Sequence, residues 1–217
     1  MGDASGGKSK ALLEIGGAPI LGYSLRKLAN HPEIDRLLLV HRSSDRSDIE
    51  ALLESEGFGE RVELTEGGAE RFESVYNGLC RLRESPPDIV LIHDSARPFL
   101  TERMIEESIA KAGAFGAATV AVPLSDTLKR REGDFLVETL PRNELYRIQT
   151  PQTFRFDLIW EAHEKLKNHP DPSITDDCML LEREGFPIAW VAGEETNIKV
   201  TTAFDLQVAD SLLRRRE

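Results

Sequence analysis

The sequence predicts an α/β domain built on a mostly parallel sheet with helices on both faces. Short runs of branched, apolar residues recur at 36–41 (RLLLVH), 61–64, 88–93 (DIVLIH) and 117–122. Between them lie segments at 21–28, 45–56, 71–83 and 101–112 whose apolar residues repeat near the 3.6-residue helical period. Apolar strands separated by helices belong to parallel sheets buried on both sides. Ligands of such sheets lie beyond the carboxyl ends of the strands, a rule that says where to look and selects no reaction. A chain of 217 residues suits one such domain.

Residues 126–154 (DTLKRREGDFLVETLPRNELYRIQTPQTF) interrupt the alternation. Segments 127–131 and 135–140 flank Glu132-Gly133-Asp134, where glycine can take the positive φ of a hairpin turn. Apolar strands that project from a domain need cover, which points to a subunit interface. An edge hairpin folded onto its own domain fits the pattern equally well. Helices are then expected at 157–167 and 202–215, with a strand at 188–191.

Composition narrows the function. The formal net charge of −11 disfavours non-specific nucleic-acid binding, which needs a basic face, but leaves room for a small anionic substrate held by a few well-placed cations. Apolar runs such as 37–40 are far too short to span a bilayer, and the start Met-Gly-Asp-Ala-Ser-Gly-Gly lacks the basic and apolar parts of a signal peptide. No membrane association and a cytoplasmic location are expected. Cys80 and Cys178 have no paired spacing, so they read as packed thiols in a reducing compartment. The five histidines, His31, His41, His93, His163 and His169, have no metal-ligand spacing. There is also no G-x-S-x-G elbow.

Several polar segments could carry chemistry. Gly6-Gly7-Lys8-Ser9-Lys10 combines close backbone approach with point charges, although it is not a P-loop and a solvated tail is its default reading. His93-Asp94-Ser95-Ala96-Arg97-Pro98 follows directly on an apolar strand. Asp94 and Arg97 there could hold a magnesium–phosphate assembly, or could simply pair to cap the next helix. Gly67-Gly68-Ala69-Glu70-Arg71 leads from strand to helix, where backbone N–H groups suit an anion or a base edge; a plain helix N-cap suits the segment as well. Asp126-Thr127, Arg142-Asn143 and Thr150-Pro151-Gln152 punctuate the hairpin region. Lys199 stands in a strand-like stretch before the last helix, where a surface lysine is the usual reading.

Taken in order, KALLEIGGAPIL, GGAERFESV, HDSARP, DTLKR, RNELYRIQTPQTF, ITDD and NIKVTT resemble the motifs of the 2-C-methyl-D-erythritol 4-phosphate cytidylyltransferase family along essentially the whole chain. The resemblance implies a single Rossmann-like nucleotidyltransferase domain over 1–217, with 126–154 as a β-arm that pairs two subunits. It implies transfer of a cytidylyl group from CTP to a sugar-alcohol phosphate, with release of pyrophosphate and help from Mg²⁺ or another divalent cation. By the same resemblance, Lys10 and Lys199 contact the α-phosphate region, and Gly68, Ala69 and Ser74 border cytosine and ribose. Asp94, Arg97, Arg142 and Thr150 hold the sugar phosphate, with Asp94 also a candidate metal ligand. Thr127 and Arg142 reach the partner subunit's site. The sequence departs from the family at Ser9, where proline is usual, and at Ala69, where aspartate is common. Met1-Gly2 falls on the end of the family's first glycine-rich loop, so a sheet lacking its first strand is expected. Ribitol-5-phosphate cytidylyltransferases share most of these motifs, and a truncated, non-catalytic nucleotide-binding protein is the alternative from another class.

Overall fold

The computed structural model describes residues 9–169, 171 and 173–215. Gly6, Gly7 and Lys8 of the expected phosphate loop, and the Met1-Gly2 position, lie outside the described residues. Along the chain, β1 (Glu14–Ile15) and β2 (Ala18–Pro19) form a small hairpin, followed by α1 (Ile20–Ala29), β3 (Leu37–His41), α2 (Arg46–Ser55), β4 (Val62–Glu66) and α3 (Arg71–Leu82). Then come β5 (Ile89–Ile92), α4 (Glu102–Phe115), β6 (Ala117–Pro123), β7 (Lys129–Glu132), β8 (Phe135–Thr139), β9 (Tyr146–Arg155), α5 (Phe156–Asn168), α6 (Cys178–Arg183), β10 (Ala189–Ala192) and α7 (Ala203–Arg214). The α/β alternation expected from periodicity is present.

The sheet is mixed. β10 and β6 pair in parallel, as do β3 and β4, whereas β9 runs antiparallel to both β5 and β6. The strand order is β10-β6-β9-β5 in one sheet and β3-β4 in another, and no ladder joins β3 to β5 among the described residues. Leu37–Val40 are only half-buried, as befits a strand with an unpaired edge.

Two apolar layers enclose the four-stranded sheet. Ala117 and Phe154 face α3, α5 and α6, where they pack with Leu79, Ile159 and Leu181. Ala118, Val120 and Val191 face Met104, Ile105 and Ala112 of α4. Consecutive residues of β6 thus enter opposite cores, as strand geometry requires, and this buries the strand on both faces.

β9 corrects the sequence-based boundary of the arm. Only 129–139 projects, as β7 and β8, which pair with each other and are exposed throughout. Residues 146–154, expected within the arm's return, belong to β9, an interior strand of the sheet between β6 and β5. Pro151 is tolerated there because the β6–β9 register shifts between Thr119 and Ala121. Buried Thr153 donates its hydroxyl to Ser108 Oγ of α4 at 3.0 Å, so its polar group is satisfied inside the core.

Gly116 ends α4 at φ +91°, and an added Cβ would sit 2.7 Å from Phe186 Cζ and 2.9 Å from Leu158 Cδ1. Gly116→Ala is expected to lose about 1–2 kcal/mol to backbone strain and a further 1–3 kcal/mol, roughly, to overpacking. Urea denaturation of the two proteins measures this; an unchanged midpoint would contradict the packing described.

Candidate active site

The C-terminal end of β5 carries His93 and Asp94 into a turn. The Asp94 carboxylate lies 2.9 Å from Lys199 Nζ, 3.5 Å from Arg97 Nε and 3.6 Å from Arg71 Nε, and its side chain is 14% exposed. Burial pushes its pKa up, but Lys199, Arg71 and Arg97 outweigh that effect and hold the group below the ordinary carboxylate range. Three cations thus converge on one anion at a strand end, in a chain that is acidic overall.

A directed chain of hydrogen bonds fixes this turn. The Asp94 N–H donates to Thr150 Oγ1 at 3.0 Å, and Thr150 Oγ1 lies 3.0 Å from His93 Nδ1. His93 Nε2 is 3.1 Å from the Arg97 carbonyl oxygen. A carbonyl only accepts, so Nε2 carries the proton and Nδ1 accepts from the threonine hydroxyl. The residue retains some exposed surface, yet its imidazole is enclosed by protein, and burial pushes its pKa down from 6.5 to about 4. The ring is therefore neutral at pH 7 and holds the loop in shape. Arg97 donates to the Asn197 carbonyl at 2.8 Å, and Asn197 Nδ2 donates to the Thr150 carbonyl at 3.0 Å and to Gln149 Oε1 at 3.2 Å. These bonds bring the segment carrying Lys199 against the segment carrying Asp94.

Lys10 enters from the other end of the chain, where its Nζ donates to the Thr201 carbonyl at 2.6 Å. Asp205 in turn accepts from the N–H groups of Thr201 and Thr202, each at 2.8 Å, so the start of α7 is capped at the residue that receives Lys10.

The glycine turn is bonded to the helix that follows it. The N–H of Gly68 donates to Ser74 Oγ at 3.1 Å, and those of Ala69 and Glu70 donate to Glu73 Oε2 at 2.7 and 3.2 Å. Of the two roles the sequence leaves open for these donors, a ligand site or a helix cap, the structure has the cap: they are engaged by side chains of α3, Glu73 of the capping box and Ser74. The close approach explains the glycine: a Cβ on Gly68 would fall 2.3 Å from Glu73 Cβ.

Of the residues singled out from sequence, Asp94, Arg97, Thr150 and Lys199 are in one cluster, with Lys10 joined through Thr201. Gly68, Ala69 and Ser74 form the adjoining turn. Thr127 and Arg142 stand apart at the base of the arm, both exposed, with Arg142 donating to the Ser125 carbonyl at 2.8 Å. Sequence reasoning missed Arg71, which opens α3 and links the glycine turn to Asp94 and, at 2.7 Å, to Asp177. Its place in GGAERFESV, directly after the turn, was the available signal.

Fold and cluster together define an α/β protein with a group of cations gathered at its strand ends, where ligands of such sheets lie. The sequence model of IspD, 2-C-methyl-D-erythritol 4-phosphate cytidylyltransferase, matches residues 3–215. The chain is 40% identical over 209 residues to the enzyme of that name from Bacillus velezensis, covering 96% of this chain and 89% of the relative. It is 41% identical over 210 residues to that of Geobacillus kaustophilus, covering 97% and 91%. Among solved structures, 4-diphosphocytidyl-2C-methyl-D-erythritol synthase of Anaerococcus prevotii aligns with a TM-score of 0.86 at 32% identity, over 93% of this chain and 88% of that one. The cytidylyltransferase of Thermus thermophilus gives 0.79 at 32% identity, over 94% of each chain. The chain belongs to the 2-C-methyl-D-erythritol 4-phosphate cytidylyltransferase family.

The buried imidazole of His93 sets a pH dependence. The unfolded chain takes up a proton near pH 6.5 that the folded chain resists until about pH 4, so stability falls as pH drops through this window. The slope contributed is about 1.4 kcal/mol per pH unit. His93→Gln has no ring to protonate, and urea midpoints measured at several pH values between these limits should fall less steeply for it than for the wild type.

Proposed function

We propose that this chain transfers the cytidylyl group of CTP to 2-C-methyl-D-erythritol 4-phosphate and releases pyrophosphate. The observation that carries the reading is the convergence of Lys199, Arg97 and Arg71 on Asp94, with Lys10 anchored beside them, in a chain matched by the family over residues 3–215. The relatives named for the methylerythritol substrate favour that acceptor over ribitol 5-phosphate.

An oxygen of the acceptor's phosphate attacks the α-phosphorus of CTP. The new P–O bond forms as the bond to the β-phosphate oxygen breaks, and the electron pair leaves with pyrophosphate. A phosphate dianion is nucleophilic without a base, which fits a site whose one enclosed histidine is already hydrogen-bonded on both ring nitrogens. Catalysis is then positioning plus neutralisation of charge in the transition state. We assign Lys10 and Lys199 to the α-phosphoryl oxygens and Arg97 and Arg142 to the acceptor phosphate. Asp94, an acceptor only, suits the acceptor's hydroxyl groups, and Thr150, whose hydroxyl is committed to His93, supports the turn beneath them. Gly68, Ala69 and Ser74 border cytosine and ribose. Because the turn's N–H groups are engaged, we assign its carbonyl oxygens to the cytosine amino group.

Among the described residues no group of three or more histidine, cysteine, aspartate or glutamate side chains could cage a metal ion. One carboxylate plus substrate phosphates is a common arrangement for Mg²⁺; Asp94 would hold such an ion, which would supply neutralisation of triphosphate charge.

The arm supports assembly as a homodimer. Phe135, Leu136 and Val137 are 75%, 65% and 49% exposed on strands that, among the described residues, pair only with each other, an apolar surface that a second copy would cover. We assign Thr127 and Arg142, at its base, to the neighbouring subunit's site. A cytoplasmic location accords with the free thiols of Cys80 and Cys178.

Pyrophosphate release with CTP and each sugar phosphate tests the reaction; release with ribitol 5-phosphate and none with the methylerythritol phosphate would overturn it. Lys10→Ala and Lys199→Ala are each expected to lower kcat roughly a hundredfold to a thousandfold, about 3–4 kcal/mol, with smaller effects on CTP binding. Lys8→Ala should be milder than Lys10→Ala in the same assay. Replacing 130–135 by glycine should give a monomer by sedimentation that still binds CTP but turns over poorly.

A further inference from the structure

A buried polar array runs from α5 toward the cation cluster and is not used by the reaction as described. His163 of α5 has a side chain 1% exposed, and its Nε2 lies 3.1 Å from Asp177 Oδ1. Asp177, 2% exposed, stands just before α6, and its Oδ2 is 2.7 Å from the Arg71 guanidinium. Arg71 Nε faces Asp94 at 3.6 Å. No residue of α5 touches Asp94 directly in any contact described, yet His163 reaches it through two charged intermediates.

We propose that His163 is a positioning residue: by donating to Asp177 it holds that carboxylate where it fixes Arg71 against the nucleotide turn and Asp94. The inference rests on the cytidylyltransferase reading for its kinetic consequence, but not for its geometry.

The chemistry at Asp177 makes the histidine necessary. A carboxylate can only accept, so the shared proton sits on His163 Nε2. Arg71 Nη2 meets Oδ2 at 2.7 Å. The carboxylate that receives it is itself held from the other side, where His163 meets Oδ1, and through the Asp177 N–H, which donates to Gln152 Oε1 at 3.2 Å. Burial pushes the Asp177 pKa up, and the His163 hydrogen bond and Arg71 charge more than offset this, so the group stays ionised. Arg71 is mobile by nature, with a long side chain 35% exposed. Anchoring one end of its guanidinium on a buried, fixed carboxylate restricts it to the orientation in which Nε faces Asp94. His163 Nδ1 has no protein partner among the described residues, so its contribution is made through Nε2 alone.

Glutamine can place an amide N–H near the position of Nε2, whereas asparagine is too short to reach it. In ligand-free protein labelled with ¹⁵N, the Nε–Hε correlation of Arg71 should be ordered in the wild type and in His163→Gln. It should be lost or broadened in His163→Asn and His163→Ala. This readout does not depend on which nucleotide is the substrate. In the pyrophosphate-release assay, His163→Ala should raise KM for CTP about tenfold, with a smaller effect on kcat, and His163→Gln should recover most of it. In an Arg71→Ala background, His163→Ala should add nothing. An unaltered Arg71 signal in folded His163→Asn or His163→Ala, or losses that add in the double variant, would overturn the proposal. Should His163→Ala fail to fold, the asparagine–glutamine contrast decides it. Failure of the wild type to use CTP, with the Arg71 signal behaving as expected, would reject the cytidylyltransferase reading and retain the positioning role.

Discussion

The site depends on one buried, polar strand. β9 crosses the centre of the sheet, and its enclosed side chains are mostly not apolar: Gln149, Thr150, Gln152 and Thr153 are each at most 5% exposed. A buried amide or hydroxyl without a partner costs about 1–3 kcal/mol, so each must be answered. The answers come from different parts of the chain. Gln149 donates to the Glu194 carbonyl, Thr150 meets the backbone of Asp94 and the ring of His93, and Gln152 bridges to Asp176 and the N–H of Asp177. The loops that carry Asp94, Lys199 and Asp177 are each registered against this strand, and those of Asp94 and Lys199 are bonded to one another as well. The turn carrying Arg71 is tied in through Asp177.

That same strand explains what the sequence could and could not disclose. The helices at 71–82 and 102–115 and the strands at 89–92 and 117–123 follow from hydrophobic periodicity, because burial against a sheet imposes it. β9 reads as RIQTPQTF, with proline and no apolar alternation, and periodicity has nothing to detect when burial is met by hydrogen bonds. α6, six residues long, is too short for a helical period to emerge. Asp94, Arg97 and Lys199 were legible as charged residues at strand ends or in a strand-like context, and through motif order. Arg71 was visible but unassigned, since its role arises from Asp177, more than a hundred positions later. The N–H groups of the glycine turn illustrate the opposite case. Their local sequence suits an anion site and a helix cap alike, and the Glu73 side chain decides for the cap.

The arm and the site share a chain path. β8 leads through the turn holding Arg142 directly into β9, so the exposed apolar strands and the polar pegs of the sheet belong to one continuous segment. Among the described residues the arm pairs only within its own hairpin, which leaves its apolar face exposed.

Asp94 has a further consequence for ligand entry. Without a ligand, the cations around it do not face solvent as an unopposed field, because they already have a resident counter-anion. An incoming polyphosphate does not simply fall into a positive well. It competes with a tethered carboxylate for the same ammonium and guanidinium groups, and its affinity reports the difference between two anions rather than the full attraction of one. An anion that takes these groups must therefore be a stronger partner for them than a carboxylate that is already tethered in place.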